Sequence, residues 1–156
     1  MAAEIERKFL VSGDAWRGAV ERSMPLRQGY LASGRNASVR VRVAGAEAWL
    51  NIKSMTLGIE RQEFEYPVPV ADGETMLDEL AEGALIEKTR HFVPFAGKTW
   101  EIDEFYGANA GLIVAELELD SADDVVEFPD WVAEEVSDDP RYYNVRLVTH
   151  PFRDWA

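Results

Sequence analysis

The stretch AEIERKFLV at 3–11 puts Glu4, Glu6 and Lys8 at every second position, with Ile5, Phe9 and Val11 on alternate ones. In an extended strand, residues i, i+2 and i+4 point to the same side. One side of this segment is therefore a charged stripe and the other is mainly apolar. The pattern recurs down the chain. Arg40 and Arg42 alternate with Val39, Val41 and Val43, and Lys53, with Asn51, alternates with Leu50 and Ile52. Arg61, Glu63 and Glu65 alternate with Phe64 and Tyr66, and Lys88 and Arg90 follow. Glu101 and Asp103 then stand against Trp100 and Ile102, and Glu116 and Glu118 against Leu117 and Leu119.

These stripes fall within eight segments of strand character: 3–11, 26–32, 37–45, 48–54, 60–69, 85–95, 98–106 and 111–119. Turn residues such as Ser33-Gly34, Gly45, Gly58, Gly97 and Gly107-Ala108-Asn109 separate them. Helical patterning is confined to 13–20, to 72–82 with Met76, Leu77 and Leu80 on one side and Gly83 as its stop, and to two late segments. Ser121 and Asp124 open a short helix, and Asp139-Pro140 opens a last one over about 140–148. The expected fold is α+β and mainly β: eight antiparallel strands closed into a barrel, or tunnel, with a charged interior and a few peripheral helices. Closure also removes exposed sheet edges.

An open sandwich with solvated charged faces is the competing reading, because most charge runs lie on surfaces. Two features favour the barrel. The apolar faces are thin for a sandwich core, and the few helices suffice to cover an outer face. The charges also segregate by sign, with carboxylate pairs on 3–11, 60–69, 98–106 and 111–119 and cation pairs on 37–45 and 85–95. Buried together they require partners, since an uncompensated buried charge costs several kcal/mol. A polyanion bridged to the wall by divalent cations satisfies both signs.

At 156 residues the chain fits one domain, 1–156, with no repeat, low-complexity tract or linker. Twenty-nine acidic and sixteen basic residues give a net charge of −13, which argues against nucleic acid or an anionic membrane as partner. The absence of cysteine excludes disulfides, thiolate metal sites and a thiol nucleophile. MAAEIERKF carries no secretory or lipidation pattern and no apolar run approaches membrane-spanning length, so a soluble, cytoplasmic protein is expected.

The stripe Glu4-x-Glu6-x-Lys8 resembles the signature of the CYTH superfamily, the triphosphate tunnel metalloenzymes. RQGYL (27–31), VRVR (39–42), IKS (52–54), RQEFE (61–65), EKTR (87–90), WEIDEF (100–105), AELEL (115–119) and DPRYYN (139–144) follow in the family's order and cover nearly the whole chain. The set looks most like the short bacterial members, many of them inorganic triphosphatases. The resemblance implies an eight-stranded antiparallel tunnel in which Glu4, Glu6, Glu116 and Glu118 bind metal, assisted by Glu63 and Asp103. It implies Lys8, Arg40, Arg42, Lys53, Lys88 and Arg90 as phosphate-binding cations. Arg61 is either a further phosphate contact or an ion-pair partner of Glu63 or Glu65. All-oxygen ligands suit Mg²⁺ or Mn²⁺.

Hydrolysis of a linear triphosphate by in-line attack of water is the expected reaction, with inorganic tripolyphosphate as the leading substrate. Lys88 and Lys8 are the candidates for catalytic roles. Lys88, with Arg90 on its face, is either the general base, its pKa lowered by burial and neighbouring cations, or another phosphate clamp. The alternatives are a class IV-type adenylate cyclase, a thiamine- or nucleoside-triphosphatase, or a non-catalytic polyphosphate-binding module. The bare lead-in to EIERKFL favours the hydrolase over the cyclase. The family's C-terminal helix often supplies another lysine, whereas this sequence has none after Lys98; Arg146 or His150 are possible stand-ins, with Tyr143 and Asn144 beside them. His91 and His150 read as surface or packing residues, as does Tyr30. The sequence leaves the oligomeric state open, a homodimer included.

Overall fold

The computed structural model describes residues 3–155. Strands run over Ala3–Val11 (β1), Arg22–Ser33 (β2), Ala37–Ala44 (β3), Glu47–Ser54 (β4), Glu60–Val68 (β5), Glu82–Phe95 (β6), Lys98–Phe105 (β7), Ile113–Leu119 (β8) and Val132–Glu135 (β9). Their hydrogen-bonded order is β5-β4-β3-β2-β6-β7-β8-β1-β9, and a further β5–β1 pairing closes the first eight into a barrel. Every ladder is antiparallel.

The registers carry the charged stripes onto one wall. Lys8 lies opposite Glu116 and Glu6 opposite Glu118; Glu4 faces Arg61, Lys53 faces Glu63, Arg40 faces Asn51, and Arg90 faces Asp103. Directly opposed residues in a ladder share a face, so the stripes continue from strand to strand around the inside.

Two of the three apolar clusters accordingly lie outside the barrel. On β1, β6, β7 and β8 the outward residues Phe9, Val93, Trp100, Ile102, Ala115 and Leu117 pack with Trp16 and Trp131, which come from the connecting segments. Phe9 and Trp131 each meet the fully buried Trp100 edge-on at 5.5 Å. Around β3 and β4, Val41, Val43 and Ala48 are covered by Leu77 of the helix Val70–Glu79 (α1). The third cluster closes the interior instead: Ile86, Phe105 and Val114 share the faces of Lys88, Asp103 and Glu116, and they pack with Leu112 against Tyr143 and against Val145 and Leu147 of the short helix Asn144–Leu147 (α2).

The structure differs from the sequence expectation at the periphery. β2 begins at Arg22, four residues earlier than read; Pro25 disguises the extension, but it precedes Arg27, where pairing with β3 begins, so no hydrogen-bond donor is missed there. Leu80, expected on the packed side of the 72–82 helix, is exposed, because the helix ends at Glu79. Residues 13–20 form only a 3₁₀ turn, Ala15–Ala19. Ser121 and Asp124 make the reciprocal contacts of a helix start, Ser121 N donating to Asp124 Oδ2 at 3.3 Å and Asp123 N to Ser121 Oγ at 3.2 Å, yet no helix follows. Val125 is 90% exposed, so the turn has no apolar surface to propagate against. The expected 140–148 helix is a 3₁₀ turn, Pro140–Tyr142, and then α2, separated by the extended Tyr143. β9 was not anticipated. Among the described residues no helix is long and apolar enough to cross a membrane.

Gly73 marks the closest approach of α1 to the barrel: a Cβ there would lie 2.7 Å from the Ala48 Cβ and 3.3 Å from Val43 Cγ2. Helix propensity alone favours Gly73→Ala by about 1 kcal/mol. Overpacking should reverse the sign, and the variant is expected to lose about 1–3 kcal/mol in urea unfolding; a gain would mean that α1 is free to lift away.

Candidate active site

The barrel encloses a cavity of about 360 Å³. Its lining includes the cations Lys8, Arg40, Arg42, Lys53, Arg61, Lys88 and Arg90 and the carboxylates Glu4, Glu6, Glu63, Glu116 and Glu118. Every residue that the sequence singled out for metal or phosphate therefore reaches one chamber, with Asp103 as the exception. A smaller cavity of about 150 Å³, lined by Met24, Leu26, Trp49 and Phe92, shares Arg42 and Arg90 with it.

Asp103 sits behind the lining at 1% exposure. Arg90 grips it through two bonds, Nε to Oδ1 at 2.8 Å and a terminal nitrogen to Oδ2 at 2.9 Å, and Lys88 Nζ donates to Oδ2 at 2.7 Å. Burial works against the Asp103 charge, but Arg90 and Lys88 outweigh it and hold the carboxyl below its usual range. Both of its oxygens are thus committed to cations, which revises the expectation that it assists in metal binding.

Arg90 also reaches Glu101 at 2.8 Å and Glu116 at 3.2 Å. With three carboxylates around it, its charge is strongly favoured despite burial. Lys88 is the weaker claimant on Asp103. Burial first, then the neighbouring Arg90 and Arg42, lowers its ammonium to about 7, with Asp103 pulling only partly the other way.

The opposite wall is organised by Lys53, which lies 2.9 Å from Glu4 Oε1 and 3.7 Å from Glu63. Burial opposes the Lys53 charge, but Glu6, Glu4 and Glu63 prevail and raise its pKa. Glu4 is pushed up by burial and by Glu63 even with Lys53 beside it. Glu118, at the rim, is raised by its partial burial and then by Glu4, so the acidic side carries repulsion that the protein's own cations do not fully relieve.

Besides the exposed Arg146, three lining cations make no ion pair among the described residues. Lys8 donates to the carbonyl of Tyr142 at 3.2 Å, Arg61 lies over the Tyr143 ring at 4.5 Å, and Arg42 donates through Nε to Gln28 at 2.9 Å. Burial, with Arg40 and Arg90 close by, disfavours the Arg42 charge. A guanidinium nevertheless remains charged in proteins, so Arg42 presents an unneutralised cation to the chamber. Arg40 contributes as well: its Nε is buried with no hydrogen-bond partner, and Glu63 lies 3.9 Å from its terminal nitrogen.

The CYTH domain matches residues 2–143 of the chain. The chain belongs to the CYTH domain family. It is 44% identical over 155 residues to an inorganic triphosphatase of Acetivibrio thermocellus, covering 99% of both chains. It is 38% identical over 149 residues to an inorganic triphosphatase of Nitrosomonas europaea, covering 93% of this chain and 96% of the relative. A crystal structure of an inorganic triphosphatase superposes with a TM-score of 0.68 at 37% identity, covering 95% of each chain. In this CYTH domain Tyr143, Asn144 and Arg146 line the chamber, whereas His150 does not and lies near Trp155. Tyr30 lines it too, though it is only 5% exposed and packs with Ile86 and Tyr143. His91 packs on Trp16 and contacts Ser23 and Glu104, outside the chamber.

Gln28 and Glu101 were not singled out for function by sequence. Gln28 is fully buried and bonds both Arg42 and Asn144. Its spacing of two from Tyr30 in RQGYL places both on one face, and that was the available signal.

Asp103→Ala should strand the buried Lys88 without a carboxylate and leave Arg90 with only Glu101 and Glu116. A stability loss of about 3–5 kcal/mol is expected from denaturant unfolding in the absence of metal. A loss below about 1 kcal/mol would show that the buried ion-pair cluster is not what Asp103 serves.

Proposed function

We propose that this CYTH protein is a metal-dependent triphosphatase that hydrolyses inorganic tripolyphosphate to pyrophosphate and orthophosphate. The observation that carries the reading is the set of buried or half-buried cations, Lys8, Arg42 and Arg61, left without ion pairs in a chamber whose other side is acidic. An anion of high charge density matches the first feature and divalent cations match the second. The two named relatives, aligned over nearly their whole lengths, support the choice of substrate.

Glu4, Glu6, Glu116 and Glu118 would hold Mg²⁺ or Mn²⁺, with Glu63 assisting. No three of the described acidic or histidine side chains converge into a ready cage. That suits Mg²⁺, which usually takes only one or two carboxylates and completes its shell with water and substrate phosphates. Burial and then neighbouring carboxylates raise Glu4 and Glu118, and a divalent cation held between them would relieve that repulsion. When bound, the cation neutralises phosphate oxygens and fixes their orientation.

The protein's own groups do the rest. Lys8, Arg40, Arg42, Lys53, Arg61 and Arg90 grip the phosphate oxygens and offset the charge that develops on the leaving pyrophosphate. Lys88 acts as the general base. With its ammonium lowered to about 7, a large share of the residue is neutral near physiological pH and can take a proton from the attacking water. The water oxygen then forms the new bond to the terminal phosphorus as the bridging oxygen departs with the pyrophosphate. Enclosure by the strands keeps bulk water from competing for these contacts.

Phosphate release from tripolyphosphate, ATP and thiamine triphosphate, each with Mg²⁺, Mn²⁺ or EDTA, tests the reading. Metal-dependent release, fastest with tripolyphosphate, is expected; cyclic AMP and pyrophosphate from ATP would instead make the protein a cyclase. Glu4→Gln and Glu116→Gln should each abolish turnover while leaving the fold intact, and full activity in both would remove the metal site. Arg40→Ala should chiefly raise KM. The active form of Lys88 is the neutral amine, so kcat/KM should climb as pH rises through about 7 and that limb should vanish in Lys88→Arg. A pH-independent wild type between 6 and 8, roughly one unit either side, would exclude Lys88 as the base.

A further inference from the structure

Asn144 begins α2, and its side-chain oxygen accepts two hydrogen bonds, from Lys88 Nζ at 2.9 Å and from Gln28 Nε2 at 3.0 Å. The oxygen of the fully buried Gln28 accepts in turn from Arg42 Nε at 2.9 Å. Lys88 continues the line to Asp103 at 2.7 Å, and Asp103 to Arg90. One unbroken set of contacts thus joins β3, β2, α2, β6 and β7.

The direction of these bonds is fixed from both ends. Arg Nε–H can only donate, so Gln28 must turn its oxygen to Arg42 and its amide hydrogens to Asn144. Asn144 then has to present oxygen, and oxygen is also what a donating Lys88 requires. Neither amide can flip without setting donor against donor.

The consequence falls on Lys88. A neutral amine has two hydrogens and one lone pair. Asp103 and Asn144 occupy two directions around Nζ, and both accept hydrogens. The lone pair is left with the remaining tetrahedral direction, on a residue that lines the chamber.

We propose that Asn144 and Gln28 are positioning residues for catalysis: their paired amides hold Lys88 so that it meets the attacking water with its lone pair rather than with a hydrogen, and keep Arg42 in register with it. The inference rests on Lys88 being the general base of the triphosphatase. It also gives α2 a part in the reaction without the lysine that the sequence lacks there.

Steady-state phosphate release from tripolyphosphate with Mg²⁺, measured for wild type, Asn144→Ala, Gln28→Leu, Lys88→Ala and the double variant Asn144→Ala/Lys88→Ala, tests it. Thermal unfolding checks each fold. Asn144→Ala is expected to lower kcat roughly 10–100-fold with KM changed by less than about threefold, as for a displaced catalytic group. Gln28→Leu, which keeps the buried volume, should lower kcat in the same way and supplies a second reading should the alanine variant unfold. The double variant should be no slower than Lys88→Ala, since Asn144 acts only through Lys88. A kcat within about twofold of wild type in both single variants, losses that multiply in the double variant, or a loss confined to KM would overturn the proposal. A wild type that releases no phosphate would defeat the triphosphatase reading itself and the positioning role with it. An active wild type with unaffected variants would defeat the positioning role alone.

Discussion

Arg90 holds Glu101, Asp103 and Glu116 at 2.8, 2.8 and 3.2 Å, and the rest of the molecule is arranged around the need to keep such a cluster inside. A guanidinium facing three carboxylates out of bulk water is tolerable only if each member keeps its partners. Arg90 and its three partners come from three adjacent strands, so the cluster exists only while β6, β7 and β8 hold their registers. A slip of one residue would turn every charge of one strand into the apolar layer outside. The same pairing that forms the wall therefore sets the charge pattern of the chamber.

The distribution of apolar residues follows. With most of the interior given to charge, two of the three apolar clusters are found on the outer surface and the third fills the interior beside α2, and the chain supplies them with few elements. Trp16 and Trp131 cover β1, β6, β7 and β8, α1 covers β3 and β4, and the residues around α2 close a third cluster. α2 belongs to both environments. Leu147 is fully buried in the apolar cluster while Asn144, three residues earlier, bonds Lys88. Packing of that short helix thereby bears on the geometry of the chamber.

The barrel was legible in the sequence because period-two alternation with ordered charge is a long-range signal: Glu4-x-Glu6-x-Lys8 states which face is inside before any pairing is known. The lining residues followed from the same period, which is why Lys53, Arg61 and Glu118 all reach the chamber. What alternation cannot show is depth. Asp103 and Glu101 share a face of β7, yet one is sealed behind Lys88 and Arg90 while the other reaches the cavity. Neutral hydrogen-bonding residues were equally hidden, since Gln28 looks like any polar strand residue until Arg42 and Asn144 are seen on either side of it. The helical periphery was read least well. Ser121 and Asp124 have the chemistry of a helix start, and only the absence of an apolar surface near Val125 decides against it.

β1 joins the barrel through two different edges. Residues 5–10 pair with β8, while on the other side only Ala3, Glu4 and Ile5 pair with β5, and β9 takes over at Phe9 and Val11. Between them Glu6 N donates to the Ile59 carbonyl, and at Lys8 the chain from Val136 and Ser137 supplies the partners. β1 is thus completed by segments that lie more than a hundred residues further along the chain. During synthesis β5 can meet the start of β1 early, but the chamber stays open beside Glu6 and Lys8 until β8 and then β9 arrive. Such distant pairings make closure a late and slow event, and a nascent chain halted before β8 would carry an open, charged ribbon with two unmatched edges, β1 and β7.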